Sequence, residues 1–257
     1  MNIFCTLVFL TGLALAPGHM AAIDAVREYA LSYTKGLPNY TCTLTTHQVT
    51  RPPSLTDNAD VRLTTIEEEL GFADSKEIRG IKRIDGRPVS RQEADDQPEG
   101  QPEGMSRGEF GNLLDIIFQP VTGTDLRWDR AATLENRKVD VIAFHVPQPR
   151  GYLFKESRGD IRVPFEGFVY ADAQTHAVLR IQMKCIMIPD KSDIRTFDLA
   201  LDYRATDVGG RDFILPNHFV LHYMDAREDR QHTNDGRYSG CRRFGADASI
   251  RFEGDKQ

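Results

Sequence analysis

The sequence predicts a mainly β (α+β) fold: a strongly curved antiparallel sheet or unclosed half-barrel of about eleven strands, with an N-terminal helix and a central plug helix. Three observations predict it. Apolar and polar residues alternate with a period of two over most of the chain after Asn39. Only two stretches of the mature chain space their apolar residues as a helix does. Turn residues separate the strand-like segments, and strands do not alternate with helices, so antiparallel pairing is expected.

Length and charge set the class of protein. A chain of 257 residues is within the size of one large all-β domain, and a hydrophobic share of 40% is enough to bury a core. The net charge of −6 leaves no basic surplus to neutralise phosphates, which excludes nucleic acid as a partner. We therefore expect a single half-barrel domain over residues 22–257.

The N-terminus predicts export. Residues 3–16 are mostly apolar and carry no charge, and the run is too short to cross a bilayer as a helix. Such a run is typical of a signal peptide, predicted here as residues 1–21. A membrane anchor is the alternative for this run, and the cleavage position stays open. We expect the mature chain to lack a transmembrane segment and to be periplasmic or secreted.

Export places the cysteines in an oxidising compartment. Three remain after cleavage: Cys42, Cys185 and Cys241. An odd number allows at most one internal bridge, and the spacing leaves all three pairings open. A reactive thiol is the alternative use of a cysteine, but Cys42 and Cys185 lie in apolar-alternating runs that are typical of buried, inert thiols.

The mature chain starts with a helix predicted over residues 22–35. Apolar residues recur at helical spacing from Ile23 to Tyr33, and Gly36 followed by Pro38 predicts the end of the helix. This helix therefore presents one apolar face, which must be buried against the sheet.

Strands are predicted on both sides of an irregular segment. Their ranges are 40–45, 61–72, 77–84, 126–134, 138–146, 152–156, 163–170, 177–188, 195–206, 212–224 and 240–252. The irregular segment, 91–108, contains a tandem Gln-Pro-Glu-Gly, and six acids stand against two bases over 91–109. We expect a mobile acidic Pro/Gly loop there, with an acidic arm that docks a partner as the alternative. The segment 225–236 is rich in Asp, Arg and His, and we expect a long exposed hairpin loop.

The central helix is predicted over residues 109–118. Ser106 and Glu109 match a capping box, and Pro120 ends the helix. Its apolar stripe consists of Phe110, Leu113, Leu114, Ile117 and Phe118. Core packing against a sheet is one interpretation of this stripe, and the lid of an apolar cavity is the other. These five residues are the predicted ligand-binding residues.

Catalytic and metal motifs are weak in this sequence. His218 and His222 have the spacing of a zinc-binding helix, but they lie in a β-rich run, with Phe219 where a metalloprotease has its Glu. Residues four apart on a strand are roughly 13 Å apart, too far to share a metal. His47 and His145 each stand alone. We predict no catalytic residue, metal or cofactor; a hydrolase or metal enzyme would require His218 or His222 to meet an acid across strands.

Several motifs carry a resemblance that covers nearly the whole mature chain. They are Leu37-Pro38-Asn39-Tyr40-Thr41-Cys42, Phe72-Ala73-Asp74-Ser75-Lys76-Glu77, Gly108-Glu109-Phe110-Gly111, Asp172-Ala173-Gln174-Thr175-His176-Ala177-Val178-Leu179-Arg180, Asp202-Tyr203 and Leu215-Pro216. In them the chain resembles uncharacterised secreted proteins of the acidobacterial type. More loosely, the order of elements is similar to the periplasmic lipoprotein-carrier superfamily of the LolA, LolB and LppX type. That resemblance implies an unclosed β-barrel whose concave side, plugged by helices, holds acyl chains.

We therefore expect an exported, non-enzymatic binding protein with a lipid or other apolar ligand on the concave side of a half-barrel. The helix over 109–118 would be its lid or plug. The alternative is an envelope module that interacts with a protein partner or has a structural role, with its cavity filled by side chains. A hydrolase or metal enzyme is the third reading.

Overall fold

Two α-helices accompany the strands in the computed structural model, which describes residues 17–54, 60–74, 76–90 and 111–244. Helix α1 spans Pro17–Ser32 and continues into a 3₁₀ turn, Tyr33–Gly36. It begins earlier than the predicted residue 22 and ends as Gly36 and Pro38 predict. Helix α2 spans Asn112–Phe118 and is followed by a 3₁₀ turn, Pro120–Thr122.

Thirteen strands are formed by the described residues. They are β1 Tyr40–Arg51, β2 Arg62–Ala73, β3 Lys76–Ile84, β4 Arg87–Pro88, β5 Asp125–Leu134, β6 Arg137–Val146, β7 Tyr152–Phe154, β8 Ile161–Val163, β9 Phe165–Asp172, β10 Val178–Cys185, β11 Ile194–Asp207, β12 Asp212–Asp225 and β13 Arg230–Arg243. Most agree with the sequence-based ranges to within a few residues.

Eleven of these strands form one antiparallel sheet in the order β4-β3-β2-β1-β13-β12-β11-β10-β9-β6-β5. Most neighbours follow one another along the chain, but the pairing of β1 with β13 brings the two ends of the chain together. The sheet is not closed, because β4 and β5 lie at opposite edges. Strands β7 and β8 form a separate two-stranded ribbon. The predicted mainly β, unclosed half-barrel is confirmed.

The main core lies on one face of the sheet, which we call the helix-covered face, and a smaller buried cluster of Val139, Val141 and Leu179 packs separately from it. Ile23, Val26 and Ala30 of α1 belong to the same buried cluster as alternate residues of the strands. His19 of α1 stacks on Trp128 of β5, with ring centroids 3.7 Å apart. The opposite face of the sheet is called the outer face below.

One strand prediction and one loop prediction are wrong in their bounds, and the strand predicted over 240–252 coincides with β13 only up to Arg243. The strand predicted over 163–170 is split into β8 and β9 at Pro164, which lacks the backbone N–H that a ladder needs. The exposed loop predicted over 225–236 is mostly strand, because β13 begins at Arg230 and pairs with both β12 and β1. Polar composition misled the prediction, since Asn234 is buried in this strand.

One disulfide bond joins Cys42 of β1 to Cys241 of β13, and Cys185 is a free thiol. The pairing is made at a bulge: Thr41 lies opposite Arg242 and Thr43 opposite Ser239, so two residues of β13 face Cys42. Gly240 in this bulge has a φ of 61°, a conformation that glycine adopts without strain.

Several predictions fall on other parts of the chain. Residues 1–16, the acidic loop 91–108 and the capping box at 106–109 lie outside the described residues. Within the described ranges, no helix combines the length and apolarity that crossing a membrane requires.

Candidate functional site

Helix α2 brings its apolar stripe onto the helix-covered face. Leu114 and Ile117 have no exposed surface, and Phe118 and Leu113 are 1% and 7% exposed. The helix packs against α1 and β6. Phe110, the fifth predicted ligand-binding residue, lies outside the described residues. The stripe is therefore buried in the core, and its role as the lining of a ligand cavity stays a prediction.

Two glycines with positive φ bracket α2. Gly111 precedes the helix with a φ of 147°, and Gly123 follows the 3₁₀ turn with a φ of 67°. A Cβ at position 111 would lie 2.3 Å from the methyl carbon of Thr34, so the helix start is pressed against the turn that follows α1. The segment between these glycines is thus a short unit whose two ends each have a backbone conformation that glycine adopts readily.

The helix-covered face is divided between apolar and polar side chains. From β5 to β12 most of its inward positions are apolar, for example Ile142, Ile181 and Leu201. On the β2, β1 and β13 side the same face carries Glu68, Thr46 and Asn234, which are 5%, 0% and 1% exposed.

Thr46 is the centre of this polar part. It lies opposite Gly236 on one neighbouring strand and Ile66 on the other. Its Oγ1 is buried and has no hydrogen-bond partner among the described residues. A buried hydroxyl without a partner costs free energy, so this atom is poised to accept or donate a hydrogen bond.

Among the described residues, Cys185 is a free thiol whose surroundings disfavour the thiolate. Burial raises the pKa of the Cys185 thiol above its usual range, and the Asp198 carboxylate raises it further. A thiol in this environment is protonated at neutral pH and reacts slowly. The reading of Cys185 as an inert, half-buried side chain agrees with its position on β10.

Among the described residues, His218 meets two acids across strands, as an enzyme would require, whereas His222 does not. His218 Nε2 lies 3.0 Å from Asp235 Oδ1, and His218 Nδ1 lies 3.7 Å from Asp202 Oδ2. His222 Nδ1 is instead 2.9 Å from Thr233 Oγ1. In the part of the chain that the structure describes, no group of three or more His, Cys, Asp or Glu side chains could hold a metal ion.

The outer face carries an open groove of about 640 Å³ across β5, β6, β9, β10, β11 and β12. Strand register aligns one ionisable residue from each of these strands. This charged row consists of Asp125, His145, Glu166, Lys184, Asp198 and His222. The row was not predicted from the sequence, because each of its residues is an ordinary polar residue within its own strand. Only the strand order makes the six residues neighbours.

A scan against family models and a search of curated proteins both gave no match. Solved structures with a similar arrangement include a DUF1329 family protein from Desulfovibrio piger, at 8% identity and a TM-score of 0.40, covering 91% of this chain and 96% of that one. A LolA superfamily protein from Nitrosomonas europaea matches at 9% identity and a TM-score of 0.36, covering 87% of this chain and 94% of that one. A putative outer membrane lipoprotein-sorting protein domain from Vibrio parahaemolyticus matches at 8% and 0.42, covering 90% and 95%. At these values the likeness transfers neither a ligand nor a partner to this chain.

Proposed function

We propose that this chain is an exported, non-enzymatic binding protein that holds a lipid or another apolar ligand on the helix-covered face, with α2 as the lid. The proposal is supported by the way α2 packs on the sheet. This short helix buries four apolar side chains against an unclosed sheet, between Gly111 and Gly123 at positive φ. An apolar ligand would take the place of α2 on the sheet.

Burial of the α2 side chains and burial of an acyl chain on the same surface release similar amounts of free energy. A helix of seven residues is too short to be stable alone in water, so α2 keeps its position through packing. Burial of its four apolar side chains stabilises the closed position by roughly 6–12 kcal/mol in total. A saturated chain of about sixteen carbons gains about 12 kcal/mol on burial. The two burial energies are therefore of the same order, so an acyl chain can compete with α2 for the same surface.

The polar part of the face suits the head group of such a ligand. Thr46 carries a buried hydroxyl without a partner among the described residues. It lies on the same sheet face as the apolar surface from β5 to β12. A ligand with an apolar chain and a hydrogen-bonding head would match this division of the face.

The test is native mass spectrometry of the full-length chain, exported to the periplasm, followed by organic extraction and titration with a dansyl-labelled fatty acid. We expect co-purified lipid or saturable uptake of the probe. Leu114→Asp should increase uptake, because a buried charge destabilises the closed position of α2, with which the ligand competes for the sheet. Val121→Asp is the matched control, since Val121 is 68% exposed just beyond α2.

Leu114→Ala provides a second variant in case Leu114→Asp does not fold. It keeps the helix while removing bulk from the lid, so uptake of the probe should increase. A clean apo mass with no uptake by the natural chain would contradict the proposal and favour the module with a filled core. Unchanged uptake by a folded Leu114→Asp variant would show that α2 is not the lid.

A further inference from the structure

The groove on the outer face has a charged wall and an apolar floor. The floor is the next cross-strand row, in which Ala143, Phe168, Ala200 and Val220 each lie two residues along their strand from the charged row, with Gln182 between Phe168 and Ala200 and Arg127 at the β5 end. Residues two apart on a strand are separated by about 7 Å, so the two rows run side by side across the strands. The Arg130 guanidinium lies 5.4 Å from the ring centre of Phe168, whereas Ala200 and Val220 are small, so an elongated apolar body can lie close to the sheet at the β11 and β12 end.

The wall has an excess of negative charge. Four carboxylates line the groove, at Asp125, Asp129, Glu166 and Asp198, against Arg127 and Lys184, and Arg130 forms an ion pair with Asp129. Counted without the two histidines, one negative charge remains. A concave site of one sign attracts ligands of the opposite sign.

Two of these carboxylates, those of Asp125 and Asp198, have no ion-pair partner among the described residues. Lys184 Nζ is 3.1 Å from Glu166 Oε1, so its charge is directed at Glu166 and away from Asp198. Asp198 and Asp125 make no hydrogen bond or ion pair with any of the described residues. Asp198 is also next to Ala200 on the same strand face, where the floor begins.

We infer that this groove binds an elongated amphiphilic amine. The ammonium group would lie at the Asp198 carboxylate, and the apolar body would lie on Ala200, Val220 and Phe168. The volume of about 640 Å³ is of the size that small-molecule sites have in proteins. A carboxylate ligand is disfavoured by the net negative wall, and a neutral ligand would cover Asp198 without giving it a partner. This site is separate from the helix-covered face and does not depend on the lid.

Calorimetric titration with dodecylamine, below its micelle concentration, tests the inference, and dodecanoate is the matched ligand of opposite charge. We expect Asp198→Asn to weaken amine binding about three-fold and Asp198→Lys about ten-fold, as for an exposed ion pair that is lost or reversed. Ala200→Arg should abolish amine binding by filling the floor. Asp212→Asn, an exposed acid outside the groove, is the control.

Two crossed comparisons separate this site from the lid. Leu114→Asp should increase fatty-acid uptake and leave amine binding unchanged, whereas Ala200→Arg should abolish amine binding and leave fatty-acid uptake unchanged. The inference is overturned if the natural chain does not bind dodecylamine, if Asp198→Lys binds it as tightly as the natural chain, or if Leu114→Asp abolishes amine binding in a folded protein. Circular dichroism establishes that each variant is folded.

Discussion

Cys42 and Cys241 form a disulfide bond that connects positions 199 residues apart, at the point where the first and last strands of the sheet meet. Strands β1 and β13 are far apart along the chain, so their pairing requires closure of a loop that contains nearly all of the fold. The bond therefore joins the two halves of the sheet, β4 to β1 and β13 to β5.

Replacement of this disulfide should destabilise the protein strongly. A cross-link that closes so long a loop removes conformational entropy from the unfolded chain, and we expect Cys42→Ser/Cys241→Ser to lose about 4–5 kcal/mol of unfolding free energy. Denaturant titration measures this loss, and reducing agent should reproduce it in the natural chain. Cys185→Ser is the control and should change stability little. An unchanged midpoint in the double variant would contradict the structural role of the bond.

Asp193 should make stability depend on acid pH. Its carboxylate accepts hydrogen bonds from the backbone N–H and the hydroxyl of Ser157, at 2.9 and 2.8 Å, and these bonds hold the pKa of the carboxyl below its usual value. A lowered folded-state pKa stabilises the protein above the unfolded pKa of about 3.9, and this contribution is lost as the pH falls through the folded pKa.

The difference in unfolding free energy between Asp193→Ala and the natural chain should decrease at acid pH. Asp193→Ala should lower the free energy of unfolding by about 1–3 kcal/mol at neutral pH, because it leaves the Ser157 groups unpaired. The gap from the natural chain should shrink as the pH falls toward and below 3.9. Thermal unfolding over this pH range measures it, with the exposed neighbour Asp190→Ala as control. A gap that stays constant with pH would exclude the ionised carboxylate as its source.

Gly236 should tolerate no side chain. A Cβ at this position would lie 2.1 Å from the ring of Phe219, which is fully buried. We expect Gly236→Ala to cost about 1–3 kcal/mol of unfolding free energy through overpacking. The cost should fall when Phe219→Leu is combined with it, and a double-mutant cycle measures this coupling. Gly36→Ala, with open space around it, is the control; equal effects at both positions would refute the steric explanation.

Thr46→Val should stabilise the unliganded protein and weaken ligand binding. The change removes a buried hydroxyl that has no partner among the described residues, so we expect a gain of about 1–2 kcal/mol. If the hydroxyl bonds the ligand head group, affinity for the fatty-acid probe should fall at the same time. Thr43→Val, at an exposed position of the same strand, corrects for the general preference of strands for valine. A loss of stability in Thr46→Val would contradict the proposed unsatisfied hydroxyl.

The sequence by itself determined the class of fold. Alternation such as that of Tyr40, Cys42 and Leu44 indicates a strand with one buried face, and the stripe of Leu113, Leu114, Ile117 and Phe118 indicates a helix with a buried face. These are local patterns, because the side-chain period of a strand or helix is set within a few residues. For the same reason the orientation of each element toward a core was readable before any pairing was known.

Only the tertiary structure decided which distant residues meet. The Cys42–Cys241 pair, the alignment of the charged row on the outer face and the burial of Asn234 in β13 all depend on strand order and register. Local composition suggested a loop for β13, since a polar strand and a polar loop have the same residues. Which strands pair depends on contacts between residues far apart along the chain. A short window of sequence therefore does not determine it.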